Sequence, residues 1–425
     1  MTQENPVITC VGLNHLTSPV EEREKLVFAS AELPDVLAYL YERLHGVVVL
    51  STCNRTEMYA VASPGDSVRQ NLVSLLNEAK GVDVPESCFY RLKDDHAAEH
   101  LFRVASGIDS MVIGESQILG QVREAFSAAT EAETLDGLLL KLFHSAIGIG
   151  RRARSETHIG RHAVSVSSAA VSLARKALGD LTEKTVLVIS AGGMGKLAAK
   201  SLAKHKGSRI IVANRTRERA QNIAEDLGPD ATAISLDDLP NALAVADIVI
   251  SGTSSETFII GPKETRAVMQ NRNGRGLLFI DIAVPRDIDP AVQEIDGVHL
   301  HDIDDIEIAA DEGWNGRLAE VQKVEALVEE EVAAFSDWRD WLDTVPVVTA
   351  LRERAESIRR SELERTLKRM PDLDDESRKR LEAMTSAIVK KMLDRPISRL
   401  KDGADEGPYI EALQDLFDIH PSGRR

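Results

Sequence analysis

Thr185-Val186-Leu187-Val188-Ile189, running straight into Ser190-Ala191-Gly192-Gly193-Met194-Gly195, decides the fold of the middle of the chain. A short β-branched run of this kind reads as a buried strand. The residues after it, Lys196–Lys206, have helical character. Strand, glycine turn, helix is the context that a dinucleotide fingerprint requires. The glycines let backbone approach a pyrophosphate, which rests on the helix N-terminus. Ser190 stands where the first glycine of that fingerprint would be, so a slightly altered turn is expected, with binding retained. The bland alternative is a glycine-rich turn without a ligand. The next strand, Arg209–Ala213, ends in Asn214-Arg215-Thr216. An NAD site would place Asp or Glu there, about 20 residues past the glycines, for the ribose hydroxyl. Arg215 and Thr216 suit a 2′-phosphate instead, so NADPH is the expected cofactor.

Further strands at Ala231–Ile234, Asp247–Gly252, Leu277–Ile282 and Val298–His301 alternate with helices and complete a parallel sheet covered on both faces. Asp281-Ile282-Ala283-Val284-Pro285-Arg286 ends one strand where a nicotinamide or a substrate would lie. His299, His301, Asp302, Asp304 and Asp305 have the residue types of metal ligands, but a helix-starting Asp cluster explains them better. No metal is expected.

Toward the N-terminus, residues 7–92 read strand, helix, strand, strand, helix, strand: Ile8–Leu13, Ala31–Leu44, Val47–Leu50, Glu57–Val61, Asp66–Ala79 and Cys88–Leu92. That order is the split βαβ, ferredoxin-like arrangement. Between its second and third strands lies Ser51-Thr52-Cys53-Asn54-Arg55-Thr56-Glu57, a tight connection at a sheet edge. Cys53 is flanked by hydroxyls, an amide and a guanidinium. Arg55, two residues on, projects to the same side in extended chain. A nearby positive charge favours a thiolate, and Arg55 could instead grip a substrate carboxylate by two prongs. Two readings stay open for Cys53, a nucleophile and a buried structural thiol. Cys10, in the first strand, and Cys88 read as packing residues.

Helices follow at His96–Ala105, Gln121–Ala132, Leu135–Arg154 and His162–Leu178. His96 and His100 share a helix face, yet with Cys53 they lack an obvious fourth zinc ligand. Gly107, Gly114 and Gly120 punctuate a polar loop that either binds something or merely turns. From Asp305 to Asp343 apolar residues recur at three and four positions, from Leu318 to Leu342, so one long helix is expected. Gly313 and Gly316 could bend it, and Val345-Pro346 should end it. The charged amphipathic helices beyond bury little alone, which points to a dimer.

At 425 residues the chain should hold two or three domains. No apolar run reaches the roughly 18 residues of a membrane span. The first residues show no signal-peptide pattern, and three cysteines are too few for a disulfide framework. A cytoplasmic location is expected. The formal net charge of −17 sits awkwardly with nucleic-acid binding, which rests on Lys and Arg. Local basic surfaces exist at Arg151-Arg152-Ala153-Arg154 and between Arg352 and Lys401, although acids interleave the latter.

Ser-Thr-Cys-Asn-Arg-Thr-Glu resembles the nucleophile segment of the glutamyl-tRNA reductase family. The likeness extends over Gly12-Leu13-Asn14-His15, Ser18-Pro19-Val20, Arg23-Glu24, the run His100 to Ser110, and Gly114-Glu115-Ser116-Gln117-Ile118-Leu119-Gly120-Gln121. The resemblance implies an α/β multidomain protein. It would hold an N-terminal ferredoxin-like α+β catalytic domain over 1–160 and a Rossmann NADPH-binding domain with its leading helix over 161–304. A spinal helix over 305–345 and an all-helical dimerisation domain over 346–425 would follow. It implies that Cys53 is the nucleophile and that His100 supports activity near it. It implies substrate contacts at Thr52, Asn54, Arg55, Ser110, Glu115, Ser116, Gln117 and Gln121. The cofactor would meet Ser190, Ala191, Gly192, Gly193, Met194, Gly195, Asn214, Arg215 and Thr216. The activity implied is NADPH-dependent reduction of glutamyl-tRNA to glutamate-1-semialdehyde by a homodimer, opening tetrapyrrole synthesis. A partnership with glutamate-1-semialdehyde aminomutase stays open. Two rival classes are a thiol-dependent semialdehyde dehydrogenase acting on a small acyl substrate without RNA, and a non-catalytic NADPH sensor.

Overall fold

The computed structural model describes residues 6–62, 71–110, 113–115, 117–160, 166–189, 198–202, 207–253, 255, 257–306, 318–401 and 406–419. By internal contacts the chain divides into Met1–Glu331 and Val332–Arg425.

The first unit opens with β1 (Val7–Asn14), the one-turn α1 (Val20–Arg23), α2 (Leu33–Tyr41), β2 (Gly46–Ser51), β3 (Arg55–Ala62), α3 (Leu72–Lys80) and β4 (Tyr90–Lys93). The four strands form an antiparallel sheet in the order β2-β3-β1-β4. This is the ferredoxin-like order expected from the pattern. Every residue of β3 is buried, so both faces of the sheet are covered. Helices α4 (Asp94–Ser106), α5 (Gln117–Glu131) and α6 (Gly137–Glu156) pack onto it. One expectation changes: Cys88 closes a 3-10 turn, Glu86–Cys88, rather than starting a strand, because Pro85 caps that turn.

After α7 (Val166–Leu178) come β5 (Thr185–Ile189), β6 (Arg209–Asn214), α8 (Arg217–Leu227), β7 (Ala231–Ser235), α9 (Leu239–Val245), β8 (Ile248–Ser251), α10 (Pro262–Gln270), β9 (Leu277–Asp281) and β10 (Val298–His301). These strands form one parallel sheet in the order β10-β9-β8-β5-β6-β7. The order reverses between β5 and β8, the switch point of a doubly wound Rossmann sheet. Separate apolar clusters, one including Val186 and Val188 and the other Leu187 and Ile189, cover its two faces. That is the covered parallel sheet the β-branched runs predict.

Helix α11 (Leu318–Arg369) runs for 52 residues, about 78 Å at 1.5 Å per residue. Val345-Pro346 does not end it; Pro346 lies inside the helix. A proline removes one backbone hydrogen bond and bends a helix. Just beyond it Val347 and Leu351 are buried in an apolar core with Leu393, Ile397, Leu400, Leu413 and Ile419, so packing holds the helix on course. Gly313 and Gly316 lie outside the described residues. The second unit is completed by α12 (Asp375–Lys401) and α13 (Glu406–Phe417). Met384, Ile388 and Met392 form an exposed apolar stripe at four-residue spacing along α12. Among the described residues no helix is long and apolar enough to cross a membrane.

Candidate active site

Cys53 sits at the turn between β2 and β3. Thr52 builds that turn. Its Oγ1 accepts from the backbone N–H of Asn54 at 3.2 Å and of Arg55 at 3.1 Å, and its own N–H donates to the Arg55 carbonyl at 2.8 Å. The Asn54 carbonyl accepts from the His15 N–H at 3.1 Å, tying the turn to the end of β1. Thr52 therefore has a structural task. Asn54 is buried, and its Oδ1 has no hydrogen-bond partner.

Arg55 differs from expectation. Its Nη1 donates to Glu57 Oε1 at 2.7 Å, and its Nη2 donates to the Asp109 carbonyl and to Asp109 Oδ1, the latter at 3.2 Å. It is 2% exposed. Arg55, Glu57 and Tyr59 lie on one face of β3 by the two-residue repeat, which turns the guanidinium toward Glu57. Fully buried Glu57 also accepts from Tyr59 at 2.6 Å, Tyr90 at 2.5 Å and His100 Nε2 at 2.9 Å. Gly12 stands opposite Glu57 in the β1–β3 register, and a Cβ there would come 2.7 Å from Glu57 Cγ. The glycine makes room for the carboxylate.

His100 bridges two acids, through Nε2 to Glu57 and through Nδ1 to Asp109 at 3.3 Å. Burial disfavours its charged form, but the charge of Glu57 and hydrogen bonds to both acids outweigh that and raise its pKa to about 9. Burial likewise opposes ionisation of Glu57 and Asp109. The charges of His100 and Arg55 and their hydrogen bonds prevail, holding both carboxyls well below the usual range. The four side chains carry two positive and two negative charges and sum to zero. His100 is thus an imidazolium locked between carboxylates, not a free proton donor beside the thiol.

Around Cys53 itself the surroundings are apolar. The half-buried thiol packs against a small apolar cluster of Val20, from α1, and Ile303, just past β10, which Val284 from the loop after β9 also joins. The protein around it is dense enough that burial, then the charge of Glu115, push the thiol up to about 12. Arg23 and, more weakly, Arg55 oppose this. The sequence marked Arg23 only as part of a family motif and Val284 only as part of a strand-end segment, and it did not mark Ile303; only the fold brings them near Cys53.

Gln117 opens α5, and Ser110 and Glu115 sit on the loop between α4 and α5. Gly107 (φ +78°) and Gly114 (φ +82°) shape it, and a Cβ on Gly114 would lie 2.1 Å from the Ile159 carbonyl oxygen. Arg154 Nη2 donates to the Glu115 carbonyl at 2.8 Å. Burial raises the Glu115 carboxyl to about 7. Ser110 Oγ is buried without a partner among the described residues. Gln117 is the half-buried first residue of α5, and Ser116 lies outside the described residues. Gln121 lines a cleft of about 280 Å³ with Phe28, Leu33 and Ser51, whose walls do not include Cys53. His96 is 82% exposed beside Glu99, so it does not join Cys53 and His100. Cys10, Glu57 and His100 bring ligand atoms within 4.8 Å of one another. Burial keeps the Cys10 thiol protonated and the pairs described above already engage Glu57 and His100, so the trio does not fit a metal ion.

On the Rossmann sheet, Ser190, Ala191, Gly192, Gly193, Met194 and Gly195 lie outside the described residues. Past the end of β6, Asn214, Arg215 and Thr216 line a cleft of about 180 Å³ with Arg219, Leu236, Thr253, Ser255 and Ile259. Among the described residues two arginines and no carboxylate line it, which fits a phosphate on the ribose. Arg219 was missed in the sequence although it lies one helical turn beyond Arg215. A larger hollow of about 620 Å³, lined from α8 and β7, sets one arginine, Arg217, beside the carboxylate of Glu225, and so suits a phosphate less well. After β9, buried Asp281 accepts from the N–H groups of Ala283, Asp287 and Ile288 at 2.9–3.0 Å. It thereby shapes the loop that presents Val284. Asp302 accepts from the N–H groups of Asp304 and Asp305, as a helix-starting residue does.

A thiol brought by one domain to the carboxyl ends of a dinucleotide-type sheet defines an oxidoreductase that works through cysteine. Residues 11–157 match the family "Glutamyl-tRNAGlu reductase, N-terminal domain". Residues 172–309 match "Shikimate / quinate 5-dehydrogenase", and 323–419 match "Glutamyl-tRNAGlu reductase, dimerisation domain". The glutamyl-tRNA reductase of Geobacter sulfurreducens is 42% identical over 97% of this chain and 96% of its own. That of Oceanobacillus iheyensis is 40% identical over 96% and 90%. A solved glutamyl-tRNA reductase from Methanopyrus kandleri is 36% identical over 97% of this chain and 98% of its own, with a TM-score of 0.49. The chain belongs to the glutamyl-tRNA reductase family.

Proposed function

We propose that this chain reduces glutamyl-tRNA to glutamate-1-semialdehyde with NADPH, releasing tRNA and opening tetrapyrrole synthesis, as a cytoplasmic homodimer. One observation carries the reading: Cys53 packs against the apolar cluster of Val20 and Ile303, which Val284 also joins, and Val284 and Ile303 follow β9 and β10 at the carboxyl ends of the Rossmann sheet. Open α/β sheets bind their ligands at those ends.

The Cys53 thiolate attacks the ester carbonyl. A carbon–sulfur bond forms, the ester carbon–oxygen bond breaks, and its electron pair leaves on the terminal ribose oxygen of tRNA, which takes up a proton. NADPH, when bound, would supply the hydride that takes the acyl group to the aldehyde, the carbon–sulfur bond breaking and its electron pair returning to the Cys53 sulfur. Arg215 and Arg219 are placed to hold the 2′-phosphate of that cofactor. Asn54 Oδ1 and Ser110 Oγ, buried and unpaired, are suited to the glutamyl moiety. Glu115 is suited to its amino group, and Gln117 opens α5 two residues further on. Arg55 acts by orienting the turn and adds a carboxylate contact only with donors that Glu57 and Asp109 leave over. The exposed stripe on α12 supplies an apolar face for a second copy. Family membership disfavours both the RNA-free dehydrogenase and the sensor.

The test omits NADPH. Wild-type protein should discharge radiolabelled glutamyl-tRNA and carry acid-stable label on Cys53, while Cys53→Ser should do neither. Label that never joins the protein, with discharge that requires NADPH, would remove Cys53 as nucleophile.

A further inference from the structure

Arg23 ends α1, three residues after Val20, whose side chain packs against Cys53. It is 1% exposed. Its Nη2 donates to Asp304, in the segment that also provides Ile303. Among the described residues its buried Nε and Nη1 have no hydrogen-bond partner. Such donors are costly to bury unmet, so a fold retains them where something else meets them. Arg55 cannot play that part for the thiol, because Glu57 and Asp109 already neutralise it and His100 completes a cluster of zero net charge.

We propose that Arg23 is the positioning residue that supplies positive charge to the Cys53 sulfur, its two unpaired N–H groups being held for the negative charge that develops there during acyl transfer, and that Asp304 restrains it until then. The proposal deepens the reductase reading and rests on it. The step is a plain ionisation: the sulfur–hydrogen bond breaks, the proton passes to solvent, and the electron pair stays on sulfur. The charged groups facing the thiol are Glu115, which opposes ionisation, and Arg23 and Arg55, which favour it, Arg23 more strongly. Asp304 offsets part of the Arg23 charge, but its own side chain is 35% exposed and so is screened.

The experiment follows alkylation of Cys53 by iodoacetamide in the full chain between pH 7 and 9.5, locating the label by peptide mass. It needs neither tRNA nor NADPH, so it stands or falls separately from the acyl-transfer test. Arg23→Gln should slow alkylation tenfold or more across that range, and Arg23→Lys should restore part of the rate. Asp304→Asn should speed it several-fold. Opening of the apolar cover would also speed it, so the double variant Arg23→Gln/Asp304→Asn decides: loss of the gain supports the proposal, and its retention overturns it. Unchanged rates in folded Arg23→Gln also overturn it, as does slowing by Asp304→Asn, which would make the pair a strut. If Arg23→Gln does not fold, Arg23→Lys and Asp304→Asn decide between the same outcomes by the same signs.

Discussion

Replacing His100 by Gln removes the imidazolium between Glu57 and Asp109 and leaves two buried carboxylates facing Arg55 alone. The folded pKa of His100 is raised from 6.5 to about 9. A raised basic group stabilises fully below its unfolded pKa and loses that contribution as pH climbs through the folded value. At about 1.36 kcal/mol per pH unit the whole contribution is about 3 kcal/mol, of which about 2 kcal/mol should disappear between pH 6.5 and 8.5. That window avoids the cysteines. Cys10 and Cys53 also have raised pKa values, but unfolded thiols ionise only from about pH 8.5. Glu115 and Asp281, both raised to about 7, titrate in wild type and variant alike, so they cancel in a difference. In a domain of this size about 2 kcal/mol corresponds to roughly 4 °C. The assay is scanning calorimetry of both proteins from pH 6.5 to 8.5. Wild type should exceed His100→Gln most at pH 6.5, and the gap in Tm should narrow by about 4 °C at pH 8.5. A gap constant across the window would show that His100 is neutral in the folded protein and that the four-charge cluster is misassigned.

Arg215→Asp should raise the dissociation constant of NADPH tenfold or more and change that of NADH little, read by cofactor fluorescence. Unchanged selectivity would move the phosphate site away from the β6 cleft. Gly114→Ala places a methyl group 2.1 Å from the Ile159 carbonyl oxygen at a φ of +82°, so urea denaturation should show a loss of about 2 kcal/mol or more. A neutral result would mean that the loop relaxes freely. Deleting Val332–Arg425 should give monomers by light scattering, with cofactor binding retained; a persistent dimer would place the interface within Met1–Glu331.

The Rossmann half was legible because β-branched runs at regular spacing leave little choice of fold, and the missing acid near Asn214 pointed to phosphate. The Cys53 turn was legible for a similar reason, being a polar motif between two strong strands. The pairing of Arg55 with Glu57 was also within reach. Residues two apart on a strand share a face, and the carboxylate competes with any substrate for the guanidinium. Arg23 was not, since its partner Asp304 is 281 residues away, and nothing local marks a residue whose importance lies in unmet donors. The helix end expected at Val345-Pro346 failed because local propensity lost to the packing of Val347 and Leu351.

The apolar cover of Val20, Val284 and Ile303 over Cys53 has a consequence for oxidative chemistry. Peroxide attacks thiolates, not thiols, and a catalytic cysteine left ionised at rest drifts toward sulfenic and then irreversible acids. Here the resting sulfur is held protonated by its surroundings. The protonated form is the one that peroxide attacks least, so the same burial that quiets the thiol also shields it from that oxidation.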